Sequence, residues 1–127
     1  MPNTTVSAAG GALPAASQDN APTHAEPDVS PAMAAAIKRH RVALAARTDN
    51  WWRNDALAPE YRSDTPENNS RIFEALAEED ENSLMNLMTM RPASMADVRV
   101  RCAYLAEYSM HDDMTVEHWR ALMISMA

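Results

Sequence analysis

The chain has 127 residues, 46% of them hydrophobic and 23% charged, with only 2 Gly; this fits one small domain with a tail and leaves no room for two full cores. A single Cys excludes an intrachain disulfide framework, and the absence of a basic start followed by an apolar run argues against a secretory leader, so a reducing cytoplasm is expected. Eleven Lys and Arg against 18 Asp and Glu give a net charge of −7, which disfavours sequence-independent binding to a phosphate backbone, and charges interrupt every apolar segment after Ser30, which disfavours a membrane span.

Residues 1–30 hold Pro2, Pro14, Pro22 and Pro27, both glycines, and no Lys or Arg. Their few larger apolar residues bury too little to offset the entropy of ordering, so a disordered, solubilising N-terminal arm is predicted. The folded domain, 31–127, opens at Ser30-Pro31, where a hydroxyl caps free amides and proline fits the first helical turn. From there Met33, Ile37, His40 and Leu44 recur at helical spacing among alanines, and a first helix to about Asn54 is expected, with Trp51 continuing the stripe.

Turn-forming residues fill 55–65, and Thr65-Pro66 repeats the cap. Ile72, Phe73, Leu76, Leu84, Leu87 and Met88 then form the apolar face of a second helix that Pro92 ends near Met90. Ser94, with Asp97 at capping-box spacing, starts a third helix to about Met110, whose apolar stripe is read as Met95, Val98, Cys102, Leu105 and Ala106. A fourth follows Thr115, with Val116, Trp119, Leu122, Met123 and Met126 on one side. No alternating run of strand length occurs, so the predicted fold is all-α: an antiparallel helical hairpin with one or two shorter packed helices.

Several groupings carry chemistry. Lys38, Arg39, Arg41, Arg47 and Arg53 lie on the first helix and its end, while Glu74, Glu78, Glu79, Asp80 and Glu81 lie on the second, a charge pattern that suits pairing of the two. Asp80 and His40 each interrupt an apolar stripe, and antiparallel packing brings them to similar depth, as a register-fixing hydrogen bond or as a proton-transfer or pH-sensing pair. His111, Asp112, Asp113, Glu117 and His118 crowd the turn before the last helix; His111, Asp113 and His118 are the candidate metal ligands, although helix-dipole stabilisation already accounts for acids there. Cys102 is expected in the core as a suppressed thiol. Val100, Tyr104 and Tyr108, four apart, make a second stripe on the third helix, and the methionines around its start add adaptable apolar surface.

The segments Ser30-Pro31 through His40-Arg41, the acidic run from Glu78 to Glu81, and Arg91-Pro92 through Ala103-Tyr104-Leu105-Ala106-Glu107-Tyr108 together resemble a group of small uncharacterised bacterial all-helical proteins. Members open with a Ser-Pro or Asp-Pro cap, continue to a His-Arg pair and close on a Tyr-Leu-Ala-Glu-Tyr-like helix. The resemblance covers roughly residues 30–108; it implies a bacterial, helical, cytoplasmic protein and brings no reaction, cofactor or catalytic residue. The expected function is a non-enzymatic protein-interaction module that self-associates or docks a protein partner through Trp51, Trp52, Tyr61, Tyr104 and Tyr108, without a cofactor or an identified small-molecule substrate. The alternatives are a small metal- or His-dependent hydrolase using His40 with Asp80 or His111 with Asp113 and His118, and a DNA-binding regulator resting on the basic first helix.

Overall fold

A computed structural model of the chain describes residues 28–127. The arm read from residues 1–30 therefore lies, apart from its last three residues, outside the described residues. The described residues are all-helical: α1 (Pro31–Asp49), α2 (Pro66–Thr89), α3 (Met95–Ser109) and α4 (Val116–Ser125), with two 3₁₀ turns, Trp51–Asn54 and Pro59–Ser63, between the first two. No strand occurs among the described residues.

Each helix starts where a hydroxyl can take up free backbone donors. Ser30, Thr65, Ser94 and Thr115 accept from the amides of Met33, Asn68, Asp97 and His118 respectively, and proline follows the cap in α1 and α2. The first helix stops five residues before the expected end. Asn50 donates from Nδ2 to the Ala46 carbonyl at 2.9 Å, taking over a helix-end acceptor that the backbone would otherwise continue to use. Trp51 consequently leaves the Leu44 stripe and is 57% exposed.

Met33, Ala36 and Ile37 of α1, Leu84, Leu87 and Met88 of α2, Tyr104, Leu105 and Tyr108 of α3, and Leu122 of α4 form one core cluster. α1 packs chiefly on α2, and α2 also carries α4. Between α1 with its 3₁₀ extension and α2 the polar contacts run in opposite order, Arg39 to Glu79 and Arg53 to Asn69, as a hairpin requires. Between α1 and α3 they run in the same order: Ser30 meets Asp97, His40 meets Tyr104 and Arg47 meets Asp112 just beyond α3.

The corner from 50 to 65 is organised by polar side chains. Asn69, fully buried, donates to the Tyr61 carbonyl at 2.9 Å and accepts from Arg53 Nη1 at 2.9 Å, and the same guanidinium nitrogen reaches Asp64 at 3.2 Å. Arg53 also lies over the Trp52 ring, 4.3 Å from its centroid.

Two helices turn a different side inward from the one the apolar spacing suggested. On α3 the buried residues are Asp97, Arg101, Tyr104, Leu105 and Tyr108, while Met95 and Cys102 are exposed. The stripe of Tyr104 and Tyr108 is the inner face and not an uncovered one, because their rings fill the space around His40 and because Arg101 and Asp97, on the same side, have backbone partners inside. On α4 only His118 and Leu122 are buried; of the apolar side read as Val116, Trp119, Leu122, Met123 and Met126, all but Leu122 are exposed, Met126 at the C-cap.

Candidate functional site

The polar residues singled out on α1 and α2 meet in the interior. His40 is completely buried, and Asp80 nearly so, one from each helix at the level where the stripes were interrupted. His40 Nε2 lies 3.1 Å from Asp80 Oδ1, within electrostatic reach but off the line of a hydrogen bond, so neither atom has a hydrogen-bond partner. The other ring nitrogen, Nδ1, is 2.6 Å from the Tyr104 hydroxyl. Asp80 Oδ2 accepts the Arg47 guanidinium at 2.8 Å, and Arg47 extends to Asp112 at 3.1 Å, joining α1, α2 and the turn after α3 in one chain of contacts.

Burial fixes the protonation of this cluster. Loss of solvent lowers the His40 pKa against the pull of Asp80, so the imidazole is neutral at pH 7. Burial also raises the Asp80 carboxyl, opposed by Arg47 and His40; with a guanidinium on one oxygen, the carboxylate remains the charged partner at neutral pH. A neutral ring with Nε2 turned to a carboxylate carries its proton there, which leaves Nδ1 to accept from the Tyr104 hydroxyl. Tyr108 stacks edge-on against His40, with ring centroids 5.0 Å apart, and burial pushes its hydroxyl up to about 12.

Chemically this is a carboxylate, an imidazole and a hydroxyl in series, the order used to activate a hydroxyl nucleophile. Two properties oppose that use. His40 presents no surface, and burial raises the Tyr104 pKa, which makes its hydroxyl harder to deprotonate. The arrangement instead ties three segments together through groups that would be costly to bury singly.

A second buried set was not foreseen. Arg101 is fully enclosed on α3 and donates from Nη1 to the carbonyls of Leu87 and Met90, at 3.3 and 2.6 Å, closing the end of α2, while its Nε and Nη2 have no hydrogen-bond partner. Asp97, four residues before it, accepts the Ala93 amide at 2.9 Å, the Ser30 amide at 2.7 Å and the Ser30 hydroxyl at 2.8 Å, and these donors hold its pKa below the ordinary carboxylate value. The signal for Asp97 was its capping-box position; its carboxylate takes the Ala93 amide, one residue before its own cap, and in addition the cap residue of α1.

The expected metal ligands do not come together. His118 is buried with Nδ1 accepting from the Thr115 amide at 3.0 Å and Nε2 2.8 Å from Glu81 Oε1, so both ring nitrogens are engaged, while His111 and Asp113 are exposed. Among the described residues no group of three or more His, Cys, Asp or Glu is arranged to hold a metal ion. The basic strip of α1 is largely engaged with acids and rings: Arg39 pairs with Glu79, Arg47 with Asp80 and Asp112, and Arg41 lies over the Tyr104 ring. Among the described residues no helix is long and apolar enough to cross a membrane.

The outer surface supplies what the interior does not. Val116, Trp119, Met123 and Met126 form a continuous stripe along α4 and are 70%, 47%, 69% and 47% exposed. Of the aromatic residues proposed to meet a partner, Trp51 is exposed and Trp52 and Tyr61 are half-buried at the 50–65 corner, while Tyr104 and Tyr108 belong to the interior. Comparison of the chain with protein-family models, with curated proteins and with solved structures finds no match, and the grouping read from the sequence rests on its motifs alone.

Proposed function

We propose that the protein is a non-enzymatic protein-interaction module of the bacterial cytoplasm that docks through the outer face of α4. The observation that carries this reading is the exposed stripe of Val116, Trp119, Met123 and Met126 on a helix already anchored along its bordering side by Leu122 and His118. Clustered exposed apolar residues, as opposed to scattered single ones, mark surfaces that are covered in use, and Trp and Met are side chains suited to such contacts. The cytoplasmic setting is supported by the single thiol, which leaves no disulfide framework, and by the resemblance of residues 30–108 to bacterial helical proteins.

The test compares the intact chain with a Trp119→Glu, Met123→Glu variant as baits in an extract of the native host, with bound proteins identified by mass spectrometry. A set of proteins held by the intact chain and lost by the variant is the expected result. Identical sets, with the variant still helical, would remove the α4 face from the function. A hydrolase built on Asp80, His40 and Tyr104 has one supporting observation, their serial alignment, and needs an opening to His40; hydrolysis of model esters abolished by His40→Asn in a stably folded chain would favour it over the module.

A further inference from the structure

Building on the reading of α4 as the docking surface, we infer that its occupant is the same helix of a second copy, packed antiparallel about a two-fold axis at the middle of α4, to form a weak, reversible dimer.

The pattern is self-complementary. Val116, Trp119, Met123 and Met126 are spaced three, four and three apart, the a/d rhythm of a two-helix seam, and the sequence of intervals reads the same in both directions. A reversed copy therefore sets Trp119 against the partner's Met123 and Val116 against the partner's Met126, each pair occurring twice, as an isologous interface requires. Indole against thioether is a favourable match, and Met adjusts to the flat ring where a branched side chain would not. The parallel alternative stacks Trp119 on its equivalent and sets Glu117 beside Glu117 and Arg120 beside Arg120, like charges with aligned helix dipoles.

Charge selects the same face. The chain carries −7, so two copies repel over most approaches, but α4 holds one acid, Glu117, and one fixed base, Arg120, and its histidine is engaged with Glu81. The stripe is thus a locally neutral apolar strip on an acidic protein, and the remaining charge is screened beyond about 8 Å at physiological ionic strength. Area sets the strength. Ten residues of helix make a face about 15 Å long, and the exposed parts of the four residues supply at most roughly 500 Å² per copy against ~800 Å² in a standard interface. That places the pair among small transient contacts, with dissociation constants on the order of 100 μM, and not among obligate dimers.

Sedimentation velocity of the full chain tests this. The weight-average sedimentation coefficient is expected to rise from the monomer toward the dimer value between roughly 10 and 500 μM, and Trp119→Glu with Met123→Glu, both at exposed positions, to remain monomeric with unchanged helicity. Direction is read separately in a Cys102→Ser background: an equimolar mixture of Val116→Cys and Met126→Cys chains should oxidise mainly to the mixed 116–126 disulfide, at least five times more than to the 116–116 or 126–126 products. A predominance of like-with-like disulfides overturns the antiparallel arrangement. A chain that stays monomeric throughout overturns self-pairing: if the extract comparison still separates intact chain from variant, α4 docks a different protein, and if it does not, the docking reading falls with it.

Discussion

The inner side of α3 and the outer side of α4 invert the usual assignment of residues to places. α3 turns Asp97 and Arg101 inward beside its two tyrosines, whereas α4 leaves a tryptophan, two methionines and a valine in water. The interior is specified by polar groups that each pair with a named group on another segment through at least one atom, so its geometry has few alternatives; the α4 face is specified only by hydrophobicity and shape, which suits a surface that must also exist uncovered. Buried polar contacts cost more than an apolar packing of the same volume, and what they supply here is register: each joins helices at one position and no other.

The largest test of that contrast is removal of the central carboxylate. Asp80→Ala leaves Arg47 and His40 without their shared partner and should destabilise the fold by about 3 kcal/mol in urea denaturation, while His40→Leu with Asp80→Ala should come within about 1 kcal/mol of the intact protein. An additive pair would mean that the cluster is not a unit. Next is a single apolar residue on the inner side of α4: Leu122→Ala, at a position in the core cluster, should cost about 2 kcal/mol.

A smaller effect sharpens the protonation assignment. Because burial lowers the His40 pKa, the unfolded chain binds a proton below its ordinary 6.5 while the native protein does not; stability therefore falls as pH drops below that value, with a limiting slope of about 1.4 kcal/mol per pH unit. Asp80, raised by burial above its ordinary 3.8, acts in the opposite sense at lower pH, since the native carboxyl takes up its proton first. The groups facing His40 are Asp80 on α2, Tyr104 and Tyr108 on α3, Arg47 on α1 and Asp112 beyond α3. His40→Asn should flatten the slope between pH 7 and 5; an unchanged slope would place the titration elsewhere. The smallest effect belongs to the outer face, where Trp119→Ser with Met123→Ser should change the thermal stability of dilute monomer by no more than about 0.5 kcal/mol. A large loss would make that face part of the core.

The four helix starts were legible in the sequence because capping is local: Ser30-Pro31, Thr65-Pro66, Ser94 and Thr115 each sit within three residues of the amide they satisfy. The approach of His40 to Asp80 was legible for a related reason, since a polar residue inside an apolar stripe has to meet another at the same depth. The facing of α3 was not. Its two sides are nearly equally apolar, and the choice is made by Arg101 and Asp97, whose partners are the end of α2 and the start of α1, many residues away. Periodicity places a charged residue outside, so it assigned Cys102 to the core and the tyrosines to the surface. On α4 the same rule counted five apolar residues as one face, where His118, bound to Thr115 and Glu81, turns the other side inward.

The polar contacts between α1 and α3 also set an order in time. Ser30 to Asp97, His40 to Tyr104 and Arg47 to Asp112 span 67, 64 and 65 residues, whereas Arg53 to Asn69 and Arg39 to Glu79 span 16 and 40. Shorter loops close at lower entropic cost, so the contacts of Arg53 with Asn69 and of Arg101 with Leu87 and Met90, which span 16, 14 and 11 residues, are expected to form before the three long-range contacts that fasten α3 to α1. Until those contacts to α1 form, His40 and Asp80 remain hydrated and the Asp80 carboxylate has not yet been enclosed. Substitutions at Ser30 or Asp97 should then speed unfolding and leave the folding rate nearly unchanged, and the moment at which the interior loses its water is the moment at which α3 locks.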